Sequence, residues 1–184
     1  MIPLVVLGVV VALLVVEVAV SYTRLVGQRK LVADSWRQIV SELQRRDELI
    51  SNLVTIVQGH VAHEREVVEH LSAARSAAQA QAESGPGARQ QPERQLGLAV
   101  RGLLALADSY PDLKASAGFL AVQQQLQNTE DRIAADGQFY NGNVRSYNTR
   151  IKSVPSSIIA SVCRFTPVEH LEIEAGSGQQ VAKT

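Results

Sequence analysis

The 184-residue chain has one cysteine, Cys163, so it can hold neither an intramolecular disulfide framework nor a cysteine-rich zinc site. Aromatic residues are scarce, with three Phe, one Trp and four Tyr. Net charge is missing too: 18 Lys and Arg balance 18 Asp and Glu, which argues against binding nucleic acid through bulk charge. Only six Pro and 12 Gly punctuate the chain, leaving room for long helices. No G-x-S-x-G, P-loop or Rossmann fingerprint occurs. No two-residue alternation between turn signals argues for strands. The expectation is an all-α chain that is not an enzyme, with no catalytic residue, no cofactor, no metal and no nucleic-acid partner.

What is abundant is aliphatic, and it is unevenly placed. Ile2 to Val20 carries one charge, Glu17, and one glycine, Gly8; the rest is nearly all Val, Leu, Ile and Ala. As a helix this run measures about 28 Å, against a hydrocarbon core of roughly 30 Å. Pro3 falls in the first turn, where its missing N–H costs little. A cleaved signal peptide would need a basic start and an A-x-A-like site, whereas nothing basic precedes the run and Ala19-Val20-Ser21 is a poor match. Residues 1–23 therefore read as an uncleaved transmembrane anchor in contact with lipid, bounded by Ile2 and Val20.

Arg24, Arg29, Lys30 and Arg37 follow the span and no Lys or Arg precedes it. The positive-inside rule then predicts the N-terminus outside and the rest of the chain in the cytoplasm, a single-pass protein of the cell membrane. Arg24, Arg29 and Lys30 are the interfacial cations of the anchor, too few for a specific polybasic site. Glu17 can snorkel to the interface. Cys163 fits a reducing compartment and reads as a small half-buried residue; S-palmitoylation there requires the C-terminal segment to return to the bilayer.

From Gln28 to Glu83 there is no proline and one glycine, Gly59. Trp36, Leu43, Ile50, Val57 and Leu71 form one heptad column; Val40, Val54, Val61 and Val68 form a second, offset by four. Arg37, Gln44, Arg45, Glu48, Gln58 and Arg65 lie opposite. The spacing predicts one helix whose soluble part, Arg24 to Ala82, is about 88 Å long. Residues 84–92, Ser-Gly-Pro-Gly-Ala-Arg-Gln-Gln-Pro, read as a linker. A helix of about 24 Å from Glu93 to Ser109 follows, with Leu96, Val100, Leu103, Leu104 and Ala107 on one side. Tyr110-Pro111-Asp112 is a turn. The next helix runs from about Ser116 to Ser153, about 55 Å, with Phe119, Leu126, Ile133, Tyr140 and Tyr147 in its column, and Pro155 ends it. Ser156 to Val162 reads as a short amphipathic turn, and residues 166–184 as a C-terminal tail, disordered from Ala175.

Polar residues interrupt these columns. Asp47 and Glu64 fall in the first helix, Glu130 and Gly137 in the later one, and Tyr140-Asn141 recurs as Tyr147-Asn148 seven residues on. A buried polar group must find a partner, so such residues select one alignment of helices. Trp36, Arg46, Asp47, Asn52, Glu64, Glu130, Tyr140, Asn141, Tyr147 and Asn148 are the structural, register-setting candidates.

Taken together these residues resemble the LemA family. Trp36-Arg37-Gln38-Ile39-Val40, Leu43-Gln44-Arg45-Arg46, Leu49-Ile50-Ser51-Asn52-Leu53-Val54 and His63-Glu64 stand in the family's order. Leu104-Ala105-Leu106-Ala107, Tyr110-Pro111-Asp112-Leu113-Lys114, Phe119-Leu120, Thr129-Glu130, Phe139-Tyr140-Asn141 and Tyr147-Asn148 follow, and the likeness covers about Tyr22 to Phe165. The resemblance implies a single-pass bacterial membrane protein with a cytoplasmic antiparallel bundle of long helices over residues 24–165, and no assigned enzymatic activity. Ser51 stands where the family often has Pro, Gly137 where it has Arg, Val154 where it has Phe, and Arg164-Phe165 where it has Gly-Phe.

Two function classes compete. The first is a membrane-anchored helical scaffold or adaptor that self-associates and engages other membrane, cytoplasmic or signalling proteins. The alternative is a metal-binding or enzymatic bundle using His60, His63 and Glu64, which needs inward ligands from several helices. Because 88 Å of first helix exceeds what the later helices can cover, part of the Trp36-to-Leu71 stripe is expected to be open. That predicts a homo-oligomer, annular or cyclic ahead of dimeric.

Overall fold

A computed structural model describes residues 2–59 and 65–172, and those residues form helices and turns with no strand. In chain order the helices are α1 (Ile2–Gln58), α2 (Arg65–Ala80), α3 (Pro86–Ala107), α4 (Pro111–Lys114), α5 (Ala117–Lys152) and α6 (Ser156–Val162). The chain divides into two compact units that interleave along it: residues 1–35 with 139–170, and residues 36–138 with 171–184.

Two boundaries differ from the sequence expectation. The single helix predicted from Gln28 to Glu83 is instead α1, ending at Gln58, and a separate α2. Gly59, the poorest helix former in that stretch, sits in the turn after α1. Val61, His60, His63 and Glu64 lie outside the described residues, as does the tail from Ile173. Beyond Arg24, α1 therefore extends about 52 Å rather than 88 Å. Its stripe is covered within one chain: Leu43, Ile50, Val57 and Leu71 are all buried and Trp36 is half-buried. The expectation of an open stripe is corrected, and with it the reason first given for an oligomer.

The second boundary is the linker. α3 begins at Pro86 and includes Pro92, so residues 86–92 are helical rather than connecting. Pro86 is placed in the first turn, where no N–H is needed. Pro92 forgoes one bond, to the carbonyl of Ala88, and Ala88 is exposed, so water can satisfy that group.

Residues 36–138 bury Leu49, Ile50, Leu53 and Val57 of α1 with Leu71 and Ala78 of α2, Leu96, Val100 and Leu103 of α3, Leu113 of α4, and Phe119 and Leu126 of α5. Each fully buried aliphatic side chain contributes about 1.5–3 kcal/mol. Residues 1–35 with 139–170 use a different plan. α5 runs antiparallel to α1 there: Asn143 donates to Ser35 Oγ at 3.3 Å, and Tyr147 lies within the field of Arg29. After α6 the chain turns at Arg164, which has a φ of 55°, and continues as a non-helical strap.

Candidate functional site

Three features carry the functional argument. The first is the apolar start of α1. Its most apolar 18-residue window has a mean hydropathy of 2.9, and only 6% of that window is covered by other parts of the chain. A core helix of a water-soluble protein would be mostly covered. Leu4, Leu7, Leu13, Leu14 and Val15 are all exposed. Thr23 donates back to the carbonyls of Ala19 and Val20, satisfying its hydroxyl where the run ends. Arg24, Arg29 and Lys30 are exposed on α1 just past Val20, as interfacial cations require.

The second is a buried charge network in residues 36–138. Arg46 of α1 is 3% exposed and pairs with Glu93 of α3 at 3.2 Å and Glu130 of α5 at 2.7 Å. Arg89, one helical turn before Glu93, pairs with it at 3.2 Å and donates to the carbonyl of Ala82 at 3.0 Å. The guanidinium of Arg89 also lies 5.9 Å from the centre of the Trp36 ring. Beside it, Arg75 of α2 grips Asp47 with two bonds of 2.6 and 2.9 Å, and Gln79 adds a third. That grip holds the Asp47 carboxyl below the usual carboxylate range. Gly97 makes the close approach possible: a Cβ there would stand 3.1 Å from Arg46 Nη2.

The third is a ladder on α5. Tyr140 donates to the carbonyl of Glu169 at 3.0 Å and Tyr147 to that of Thr166 at 3.1 Å. Asn148 makes a matched pair with Val168, donating to its carbonyl at 2.8 Å and accepting its N–H at 3.0 Å. Burial, reinforced by the nearby Glu169, raises the Tyr140 phenol to about 12. Beyond the ladder, Leu171 is buried and its Cδ2 lies 3.9 Å from where a Cβ on Gly137 would be. Leu171 of the returning chain thus packs beside position 137.

The register candidates thus separate. Arg46 and Glu130 meet in the charge network, with Asp47 in its own pair beside it and half-buried Trp36 against it. Tyr140, Tyr147 and Asn148 hold a strap of non-helical chain rather than a partner helix, because the residues after Pro155 fold back; Asn141, half-buried, adjoins them. Residues 166–172, read as the start of a tail, are part of the fold. Asn52 is exposed, so it lacks the burial that makes a polar group select a register. Glu64 lies outside the described residues. Arg89, Glu93, Arg75 and Gly97 were not singled out from the sequence. The i, i+4 spacing of Arg89 and Glu93 was available as a signal, but it was masked by the Gly-Pro composition around it.

A cleft of about 290 Å³ beside the network is lined by Leu43, Asp47, Gln79, Arg89, Glu93 and Leu96 among others. Asp47 there is held ionised by its bonds to Arg75, which leaves it a poor proton-transfer group at neutral pH. Among the described residues, no three of His, Cys, Asp and Glu converge to hold a metal ion. The free thiol of Cys163 is exposed, not half-buried, because it follows the last turn of α6 on its outer side.

Among the described residues the chain is all-helical, with one apolar helical segment long enough to cross a membrane and a bundle braced by buried charge. It belongs to the LemA family, whose profile matches residues 35–184. It is similar to the magnetosome protein MamQ of Magnetospirillum gryphiswaldense, 26% identical over 152 residues covering 70% of this chain and 56% of that protein. The magnetosome proteins MamQ 1 and MamQ 2 of Paramagnetospirillum magneticum are each 26% identical over 154 residues, 71% of this chain and 57% of theirs. The chain therefore spans little more than half the length of these relatives.

Proposed function

We propose that the chain is a non-enzymatic, membrane-anchored helical scaffold or adaptor that associates with copies of itself and engages other membrane or cytoplasmic proteins. The observation that carries this reading is the apolar run of α1, left 6% covered at the head of a helix whose later part is locked into a bundle. Leaving that much aliphatic surface in water is unfavourable by about 25 cal/mol per Å², and a bilayer removes the penalty. The one-sided cations after Val20 favour a cytoplasmic bundle. The relatives are named as magnetosome proteins, a name that refers to an assembly rather than to a reaction, and a part in holding an assembly is the role carried over here. Chains anchored in one bilayer share orientation and are concentrated in two dimensions, which favours side-by-side association.

Flotation with membranes tests the anchor. The full chain is expected to float and to resist alkaline extraction, while a chain beginning at Ser21 remains in the soluble fraction; a full chain that is extracted by alkali overturns the reading. Mass measurement of the detergent-extracted full chain tests association, and a strict monomer in gentle detergents and in nanodiscs overturns that part.

A further inference from the structure

We propose that α6 and the turn before it make a second, non-spanning contact with the membrane, with Val154, Ile158 and Val162 seated in the lipid interface. This rests on the reading of the α1 apolar run as a membrane anchor. Val154, Ile158 and Val162 are 81%, 64% and 78% exposed, as open as the apolar run itself, where Leu4 is 74% exposed. Ile158 and Val162 are one helical turn apart on α6, and the opposite side of that helix buries Ser156, Ile159 and Ala160. α6 thus carries aliphatic residues on both sides, burying Ile159 and Ala160 while presenting Ile158 and Val162 on the side that faces away from its own unit. A stripe of that kind marks a contact with something else.

The location identifies the occupant. α5 descends antiparallel to α1 from the Asn143–Ser35 contact, and its remaining length to Lys152 is about 13 Å. That brings the end of α5 level with about Val26. Past α6, the Phe165 ring stacks edge-on against Tyr22 at 6.3 Å, and the Arg29 guanidinium lies 6.0 Å from the same ring. Tyr22 is two residues beyond Val20, so α6 sits at the depth where the apolar run of α1 ends. The α1 surface there is itself mixed, with Tyr22 46% and Val26 43% exposed, as suits the boundary between acyl chains and headgroups.

Charge points the same way. The chain as a whole is neutral, yet in residues 21–35 and 139–170 the only acids are Asp34 and Glu169. Against them stand Arg24, Arg29 and Lys30 on α1 and Arg145, Arg150, Lys152 and Arg164 around α6. A cleft of about 490 Å³ lined by Gln28, Arg145, Thr149, Arg150, Ser153 and Ser156 gathers two guanidiniums and several hydroxyls. These are the donors that a phosphate headgroup accepts from. An apolar stripe next in sequence to a basic, hydroxyl-lined cleft fits an anionic phospholipid surface.

The single cysteine makes the test direct, since Cys163 is exposed and adjoins Val162. The full chain, labelled at Cys163 with a polarity-sensitive thiol fluorophore, is reconstituted in vesicles of phosphatidylcholine with phosphatidylglycerol. Expected are blue-shifted emission, quenching by a lipid-borne nitroxide, and quenching by aqueous iodide several-fold weaker than for a label at Ala88→Cys in a Cys163→Ser chain. The double variant Ile158→Asp with Val162→Asp, both at exposed positions, should still float but return the probe to water. A chain that floats while its Cys163 probe stays fully iodide-accessible overturns the interfacial contact and leaves the anchor intact. So does a probe depth that the double variant does not change. A chain that does not float at all overturns the anchor, and the contact falls with it. A label-to-label signal that survives in detergent and is lost in the Ile158→Asp, Val162→Asp variant identifies a second copy seated on this face and also overturns the proposal.

Discussion

Residues 36–138 bury the ions Arg46, Arg89 and Glu93, whereas residues 21–35 and 139–170 bury only the neutral groups Ser21, Ser35 and Ser156 beside the Tyr140 and Tyr147 rings. In residues 36–138 each charge meets an opposite side-chain charge, and each demands its particular partner. In the ladder of residues 139–170, side chains of α5 meet backbone carbonyls of the strap, which any residue supplies. The difference places sequence constraint differently. The charge network fixes identities on α1, α3 and α5 at once, while the ladder fixes Tyr140, Tyr147 and Asn148 and leaves Thr166, Val168 and Glu169 freer.

The largest expected effect comes from breaking the network at its centre. Glu93→Ala leaves two buried guanidiniums, Arg46 and Arg89, without their shared carboxylate, and should cost about 3–5 kcal/mol. Glu130 keeps a third of its side chain in water, so Glu130→Ala should cost far less, about 1 kcal/mol or below. Urea unfolding of the two variants side by side measures the contrast. Equal losses would show that Arg46 depends on both acids alike.

The ladder should yield a smaller loss with a local signature. Asn148→Ala removes both bonds to Val168 and should cost about 1–3 kcal/mol, with amide exchange at Val168 rising before the rest of the chain. The two units should also fail at opposite ends of the pH scale. The folded Tyr140 phenol is raised to about 12 and Tyr147 is raised as well, both chiefly by burial. The stability they lend is whole below the ordinary tyrosine value of 10.0 and is lost as pH climbs through the folded values. Asp47, lowered chiefly by its Arg75 bonds, lends stability above the ordinary carboxylate value that is lost as pH falls through its folded value. Asp136 opposes it, because burial and Glu42 raise its carboxyl, so its protonation in acid favours the fold. Denaturation against pH should therefore lose part of its acid limb in Asp47→Asn and part of its alkaline limb in Tyr140→Phe.

The helical class, the apolar run and five of the six core residues Trp36, Leu43, Ile50, Leu126, Ile133 and Tyr147 were legible because they depend on periodicity, which is local; Trp36 is only half-buried. Partners were not legible. The Tyr-Asn repeat announces a buried polar row, but nothing in its spacing distinguishes a facing helix from a returning strap. Arg89 and Glu93 were hidden because proline and glycine nearby outweigh, in a local reading, a tertiary ion pair that holds the helix together. A smaller device is readable only with both levels in view. Arg164, with a φ of 55°, stands where the resemblance puts glycine, and the following Phe165 N–H bonds to the carbonyl of Ala160 at 2.9 Å. That closure favours glycine, so Arg164→Gly should stabilise the fold by about 1 kcal/mol, seen as a raised Tm.

Two glycines of α3 sharpen the comparison at the smallest scale. Gly102 is exposed and a Cβ there would meet nothing within 4 Å, so Gly102→Ala should stabilise the helix by about 0.5–1 kcal/mol. Gly97 has the same helical backbone and the same intrinsic penalty. Its Cβ, however, would press on Arg46 Nη2 at 3.1 Å. A guanidinium at the end of a free side chain would simply move aside. This one is held by a hydrogen bond to Glu93 at 3.2 Å and an ion pair with Glu130 at 2.7 Å, so it moves only by lengthening them. The propensity gain at Gly97→Ala should therefore be offset, leaving it about 1 kcal/mol less stable than Gly102→Ala in paired urea titrations. If both variants gain equally, the network has slack, and the Glu93→Ala loss should then fall toward the low end of its range.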